Sequence, residues 1–349
     1  MTQKSTSTTI ELLTPIWERV LQCSPIGLQD DFFSLGGDSV SAVALFSEIA
    51  QACGRQLPPV MIYHAPTIHA LAAQLDQTAA SPFPSILPMK PGGEGPPVFI
   101  AHGLGGSVID FFQLVRHIDS RLPIYGLQAR GIDGVDEPFD RIEDLAEFYL
   151  DGIRKVQPHG PYFLIGYSLG GLVALEMAQR LSQQGERVAL LAMVESYPYV
   201  RFLPLKERLR LVTRRAKHYA SHVIRLPFRE ALSYTLLPSN RRFYLSWNVN
   251  GSSPERLPTG ELVTPTLQRA RDRAYLALTR YRPRFYQGKI KFVMAQIVSN
   301  FPDNPVAVWS GLAKEFDVES VPGDHLGIIA TYSETLAAVL SRYLKEASC

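Results

Sequence analysis

Residues 162–171 read YFLIGYSLGG, an apolar run that ends in a serine set between glycines. The apolar segment predicts a buried strand and the residues after Ser168 a helix, so Gly166, Tyr167, Ser168, Leu169 and Gly170 fall on the turn between them. A turn that tight forces its central residue into a strained conformation, and glycines two places to either side remove side chains that would collide there. The Ser168 hydroxyl is then held at the carboxyl edge of a sheet and the N-terminus of a helix. Free amides and the helix dipole favour developing negative charge at that place. The plain alternative is a glycine-rich turn with an incidental serine; the strand-and-helix context favours a nucleophile.

On both sides the pattern repeats. VFIAHG, a helix near Phe111 to Ile118, PIYGLQ, a helix from Ile142 to Val156, YFLIGY, a helix after Ser168 and VALLAMVES follow one another. Strands alternating with helices predict a mainly parallel sheet covered on both faces. In such an architecture the partners of a nucleophilic serine come in the order serine, acid, histidine. His325, in VESVPGDHLGII, lies in a loop after an apolar strand and before the last helix, where a base belongs; the competing reading is a surface loop histidine. His64, His69, His117, His159, His218 and His222 read as structural or solvated.

Glu195 ends VALLAMVES, one crossover beyond Ser168, and its carboxylate can emerge at the same sheet edge. Asp303, in SNFPDNP, is its rival, and Asp324 adjoins His325 too closely to face its ring. The acid's task is to fix the imidazole tautomer and stabilise imidazolium. Oxyanion donors should be the backbone amides of Leu169 and, in AHGLGGSV, of Leu104. A phosphate cradle is the alternative use of GLGG, but the P-loop Lys-Ser/Thr is missing.

The N-terminal stretch reads differently. Ile10, Leu13, Ile16, Trp17 and Val20 mark one face of a helix, SVSAVALFSEIAQACG predicts a second from Ser39, and PTIHALAAQL a third. Short helices in so few residues make a small bundle. Asp76 to Pro97 is rich in proline and glycine without a period, a linker into the next domain. The boundaries this implies are a helical domain at 8–78, a linker at 79–88, and an α/β domain at 89–346 interrupted by a helical insertion at 199–285.

Composition limits the function classes. Across 349 residues, 46% are hydrophobic and 19% charged, an ordinary globular balance. No apolar run approaches the roughly 20 residues that span a bilayer, and MTQKSTSTTI lacks the core of a secretory signal. A cytoplasmic protein without membrane partners is expected. Cys23, Cys53 and Cys349 have no metal-ligand spacing, so no metal site is expected, and the first two read as small hydrophobes on helical apolar faces.

The net charge of +2 hides an asymmetry: Tyr199 to Arg284 carries 18 Lys and Arg against 5 Asp and Glu, while residues 8–76 carry two against seven. A basic insertion and an acidic helical domain would attract each other, which is favoured over nucleic-acid binding because no such motif accompanies the charge. A solvated face is the bland meaning of such runs. Tyr219, Tyr234, Phe243, Tyr244, Trp247 and Tyr275 line an acyl pocket or fill the core of the insertion.

Ser39 stands in DDFFSLGGDSV, after a loop and at a helix start, where a serine is most often a cap. This stretch resembles the marker of the peptidyl carrier (thiolation) domain of nonribosomal peptide synthetases. Residues 86–346 resemble the type I thioesterase domain of such synthetases, through HGLGGS, PIYGLQARG, QPHGPYFLIGYSLGG and PGDHL. The resemblance implies a small all-α carrier followed by an α/β-hydrolase domain with a helical lid. It also implies 4′-phosphopantetheine attached to Ser39 by a phosphopantetheinyl transferase, and an adenylation module upstream, in cis or in trans. A phosphodiester suits a helix N-terminus, and Gly36 and Gly37 let a transferase approach the hydroxyl.

The activity so implied is that of a serine thioesterase: an acyl or peptidyl group held at Ser39 passes to Ser168 and is released by hydrolysis or cyclisation. Two alternatives are a transferase that condenses or dimerises carrier-bound acyl units, and an impaired module that only holds the carrier. The family usually has aspartate where this chain has Glu195, so the longer side chain must coil or its backbone must sit back to reach His325.

Overall fold

The computed structural model describes residues 2–53, 59, 61–77, 85–132, 136–223, 265–297 and 301–348. The N-terminal domain is built from α1 (Thr2–Leu21), α2 (Ser39–Cys53), the short α3 (Met61–His64) and α4 (Ile68–Gln77). Leu13, Ile16 and Trp17 of the expected α1 face are buried with Leu45, Phe46, Ile49, Leu71 and Leu75. The edge of the Trp17 ring meets Phe32, at 5.2 Å between centroids, which fixes the loop ahead of Ser39 onto this core. Cys23 and Cys53 are exposed, contrary to expectation: Cys23 lies two residues past the end of α1, and Cys53 is the last residue of α2.

The second domain holds β1 (Ile86–Lys90), β2 (Val98–Ala101), α5 (Phe112–His117), β3 (Ile124–Leu127), α6 (Ile142–Val156), β4 (Tyr162–Tyr167), α7 (Leu169–Gln183) and β5 (Val188–Val194). After these come α8 (Leu205–Val223), α9 (Pro265–Arg280), β6 (Tyr286–Ala295), α10 (Pro305–Trp309), β7 (Ala313–Val321) and α11 (Ser333–Ser348). The strands form one sheet in the order β1-β3-β2-β4-β5-β6-β7, parallel except for β1. One face is covered by α6 and α7, through Tyr149, Leu172 and Met177. The other is covered by α5 and α11, through Leu114, Leu336 and Leu340. Alternating strand and helix periods produced this expectation and the packing realises it.

The sheet reaches further back than the α/β boundary of 89. Ile86–Lys90, inside the stretch read as linker, pairs antiparallel with β3. Its proline is tolerated because an edge strand leaves one row of backbone groups unpaired. The lid is described on its two flanks, as α8 and α9. Tyr234, Phe243, Tyr244 and Trp247 lie outside the described residues, as does the side chain of Tyr219. No helix among the described residues is long and apolar enough to cross a membrane.

Two features of this topology position the site. The chain runs from β2 to β3 on one side and then crosses to β4 on the other side of β2. Loops leaving β2 and β4 therefore diverge and open a crevice at their carboxyl ends. The helical domain packs beside it: Phe33 stacks on Phe112 of α5 at 4.2 Å, and Ile109, in the loop after β2, is buried among that domain's core residues.

Candidate active site and carrier site

Ser168 closes β4 with φ 55° and ψ −119°, a left-handed conformation that a serine adopts only under constraint. The constraint is visible in its neighbours. A Cβ on Gly166 would lie 2.1 Å from the Gly170 carbonyl oxygen, and one on Gly170 would lie 2.3 Å from that of Ala101. The strained turn, costing on the order of 1–3 kcal/mol, is held by three hydrogen bonds. Ser168 N–H donates to Val194 at 2.8 Å, and its carbonyl accepts from the Ser196 hydroxyl at 2.6 Å and from Gly171 N–H at 3.2 Å. The first amides of α7, Leu169 among them, have no intrahelical partner and face outward from the helix end.

The loop leaving β7 carries His325 back over β6 and β5 to this edge. The Tyr167 hydroxyl donates to the His325 carbonyl at 2.6 Å, and both Tyr167 and Phe301 stack on the imidazole, at 5.0 and 4.2 Å between centroids. His325 Nδ1 lies 3.2 Å from Glu195 Oε2, and both side chains are buried. The other carboxylate oxygen, Oε1, accepts from Ala295 N–H at 2.7 Å. Glu195 reaches this place through its backbone: it takes φ 47° just past the end of β5, with its N–H bonded to Val293 at 2.8 Å. With the backbone in this left-handed bend, the longer glutamate side chain reaches His325 Nδ1.

Neither rival carboxylate is at the ring. Asp303 is 44% exposed and 3.2 Å from Arg214 Nη1, and Asp324 Oδ1 accepts from Gly327 N–H at 2.7 Å, capping its own turn. Burial, then the nearby Glu195 carboxylate, pushes the Tyr167 hydroxyl well above its ordinary pKa, so it stays a donor.

Leu104 sits in a tight turn closed by Gly106 N–H on the Gly103 carbonyl at 3.1 Å. A Cβ on Gly103 would lie 3.8 Å from Ser168 Cβ, so the start of this turn lies directly beside the serine. Sequence reasoning missed the partners that hold the site together: Tyr167, Ser196, Phe301 and His102. Tyr167 lay inside the quoted motif, but nothing in the spacing marks its hydroxyl for a carbonyl 158 residues away.

The end of the helical insertion is tied to the rest of the α/β domain. Arg273 and Arg280 pair with Asp140 at 3.3 and 2.7 Å, Arg269 pairs with Glu137, and Arg284 meets Glu176 at 3.1 Å. Glu176, buried in α7, the helix that follows Ser168, also accepts from Tyr281 at 3.1 Å and Arg180 at 2.9 Å. Tyr275, one of the expected pocket aromatics, is buried on α9 with its ring edge-on to Tyr199 at 6.1 Å.

In the N-terminal domain the cap of α2 is Asp38, not Ser39. Ser41 N–H donates to Asp38 Oδ1 at 2.8 Å, Asp38 N–H donates to Ser41 Oγ at 2.7 Å, and the Asp38 carbonyl takes the first helical bond from Ala42 at 2.9 Å. Ser39 is thereby the first residue inside a 15-residue helix, relieved of capping and placed on its positive end. A hydroxyl at that position fits attachment of a phosphodiester.

A mainly parallel sheet that brings a strained serine elbow and a buried acid–histidine pair to one edge defines the α/β-hydrolase class. Within that class, the thioesterase domain family matches residues 96–346, and the phosphopantetheine attachment site family matches residues 11–75. The chain belongs to the thioesterase domain family, with a phosphopantetheine carrier domain ahead of it.

Over 198 residues it is 42% identical to a dimodular nonribosomal peptide synthase of Bacillus subtilis, covering 56% of this chain and 8% of the relative. Over 310 residues it is 33% identical to the malpinin synthetase of Mortierella alpina, covering 85% and 4%. The chain thus spans under a tenth of the length of these relatives. Among solved structures, a four-domain nonribosomal peptide synthetase bound to AMP and glycine aligns over 97% of this chain and 26% of its own, with a TM-score of 0.57 and 22% identity. The thioesterase domain NocB aligns over 72% and 95%, with 0.51 and 21%. Both carry the same fold.

Proposed function

We propose that this chain is a carrier–thioesterase segment of a nonribosomal peptide synthetase or synthetase-like enzyme, in which an acyl or peptidyl thioester held at Ser39 is transferred to Ser168 and released. The observation that carries the proposal is the strained Ser168 elbow at the same sheet edge as the buried His325–Glu195 pair. Attached to Ser39, phosphopantetheine supplies a thiol on a flexible arm that holds the acyl group as a thioester.

The residues then act in order. His325 takes the Ser168 hydroxyl proton as Oγ attacks the thioester carbon, and Glu195 on Nδ1 keeps the ring oriented and stabilises imidazolium. Leu104 and Leu169 amides hold the developing oxyanion. His325 passes the proton to the departing sulfur, leaving the acyl group as an ester on Ser168. In the second half, His325 deprotonates water, or a hydroxyl or amine of the substrate itself, which attacks the ester and regenerates Ser168. Hydrolysis follows in the first case and cyclisation in the second. A phosphopantetheinyl transferase and an adenylation module in cis or in trans are the partners this requires.

Intact mass spectrometry of protein loaded at Ser39 tests the relay. Acyl mass should disappear with time from wild type and persist in Ser168→Ala and His325→Ala. Equal persistence in all three would leave the chain a passive holder, and transfer to a second loaded carrier would make it a condensing transferase.

A further inference from the structure

His102 is a buried ionisable group with no part in the steps above. It directly follows β2, is 1% exposed, and has its ring edge-on to Tyr149 at 6.1 Å. Burial pushes its imidazole down to about 4, so it is uncharged near neutral pH. Nδ1 lies 2.5 Å from the Gly103 carbonyl oxygen. A carbonyl only accepts, so the ring proton belongs on Nδ1, and Nε2 has no hydrogen-bond partner among the described residues. The same carbonyl takes a second donor, Gly106 N–H, at 3.1 Å.

The Gly103 carbonyl and the Leu104 N–H belong to one peptide plane. In a trans peptide these two groups point to opposite sides. Two donors that draw the carbonyl to one side therefore aim the Leu104 N–H to the other. The turn that carries this plane contains Gly103, Gly105 and Gly106, which leave its backbone little stiffness of its own. Its orientation has to come from outside bonds, and the strand end at Ala101 provides a rigid base from which the His102 ring can act.

We propose that His102 is a positioning residue: its neutral ring, through Nδ1–H on the Gly103 carbonyl, holds the Leu104 amide in line as an oxyanion donor for acyl transfer at Ser168. This rests on the reading of Ser168 as the acylated nucleophile. His102 does not touch the substrate, and its effect should appear only where negative charge develops on oxygen.

The experiment uses the full chain with a small free thioester, measuring kcat, KM and inhibition by an alkyl boronic acid, whose adduct with Ser168 is tetrahedral and anionic. His102→Phe keeps the ring's bulk and removes the donor; it should lower kcat about 10- to 100-fold, a fraction of the loss when an oxyanion donor is deleted outright. KM should stay within about twofold, and boronic acid affinity should fall by the same factor as kcat. His102→Gln, with an amide donor, should recover part of the loss.

Nitrogen NMR of the wild-type histidines provides a check that needs no variant to fold: one ring should carry its proton on Nδ1 and not titrate between pH 5 and 8. Wild-type kcat in His102→Phe with Ser168→Ala inactive would overturn the proposal, as would an Nε2–H tautomer at His102. Turnover surviving in Ser168→Ala would instead sink the acyl-enzyme reading on which it rests.

Discussion

Ser39 and Ser168 each open a helix beside a pair of glycines, and their backbones part company at that point. Ser39 is an ordinary first helical residue, with capping delegated to the reciprocal Asp38–Ser41 bonds. Ser168 is bent to φ 55° and fastened through both its N–H and its carbonyl. An attachment point needs a hydroxyl at a helix end, which is where the backbone puts Ser39. The proposed nucleophile needs a fixed direction, and Ser168 is held in a single strained one.

The sharpest way to break this contrast is a small thioester that bypasses the carrier. Ser168→Ala should lower thiol release on the order of 10³-fold or more, whereas Ser39→Ala should leave it unchanged and abolish only the mass gained with a phosphopantetheinyl transferase. If Ser39→Ala slows the free thioester as much as Ser168→Ala, the two serines are not separable stations.

Glu195 gives the next largest effect. Its two oxygens are divided between His325 Nδ1 and Ala295 N–H, and its backbone takes a positive φ. Glu195→Gln retains the shape but can place an N–H against Nδ1 and favour the wrong tautomer, so kcat should fall on the order of 10²- to 10⁴-fold. Glu195→Asp keeps the charge but shortens the reach from a backbone built for glutamate, and should cost about 10-fold or more. An aspartate variant as fast as wild type would mean that the bend at residue 195 has no role in reach.

These residues also show what the sequence could tell. Periodicity marked the alternating strands and helices, and chain order marked Ser168, Glu195 and His325, because both follow from local pattern and from the fixed route of a doubly covered sheet. The Ile86–Lys90 strand was hidden by its own proline and those that flank it, which read as linker wherever the pairing partner is unknown. The bend at Glu195 and the His102 clamp depend on where other chain segments lie, which no spacing records. Charge shows the same limit: the counts record a basic insertion and an acidic helical domain, but not that Arg269, Arg273, Arg280, Arg284 and Arg214 pair with Glu137, Asp140, Glu176 and Asp303 of the α/β domain.

Asp110 lies in the loop that meets the carrier, between Ile109 and the Phe111–Phe112 pair. Its Oδ1 is sealed from solvent without a hydrogen-bond partner among the described residues, and burial raises its carboxyl from the usual 3.8 to about 6. The folded protein therefore keeps this proton up to about pH 6 while the unfolded chain releases it near 3.8. Stability falls as pH rises between those values, and the loss is complete above them. Two pKa units correspond to about 3 kcal/mol; partial exposure of the residue reduces this to on the order of 2. Asp110→Asn should melt like wild type at pH 4 and higher than wild type at pH 7. A melting difference independent of pH would remove the buried carboxylate as its cause.

The smallest effect sharpens the comparison of the two serines most directly, because it concerns the path between them. Phe33, six residues before Ser39, stacks on Phe112 at 4.2 Å, and Phe112 begins the helix that follows the Leu104 turn. The carrier thus rests on the segment that leads out of the Leu104 turn through an aromatic contact. Such a stack contributes about 0.5–1.5 kcal/mol beyond buried area, so Phe33→Ala should slow loss of acyl mass from loaded Ser39 by roughly 2- to 12-fold. The free thioester, which never visits the carrier, should be turned over at the wild-type rate, and raising salt should change neither ratio, since a ring stack is not screened as an ion pair is. Equal slowing of both substrates would mean that Phe33 supports the active-site loop rather than the seating of the carrier. A strong salt dependence would return the lid's arginines to the docking step.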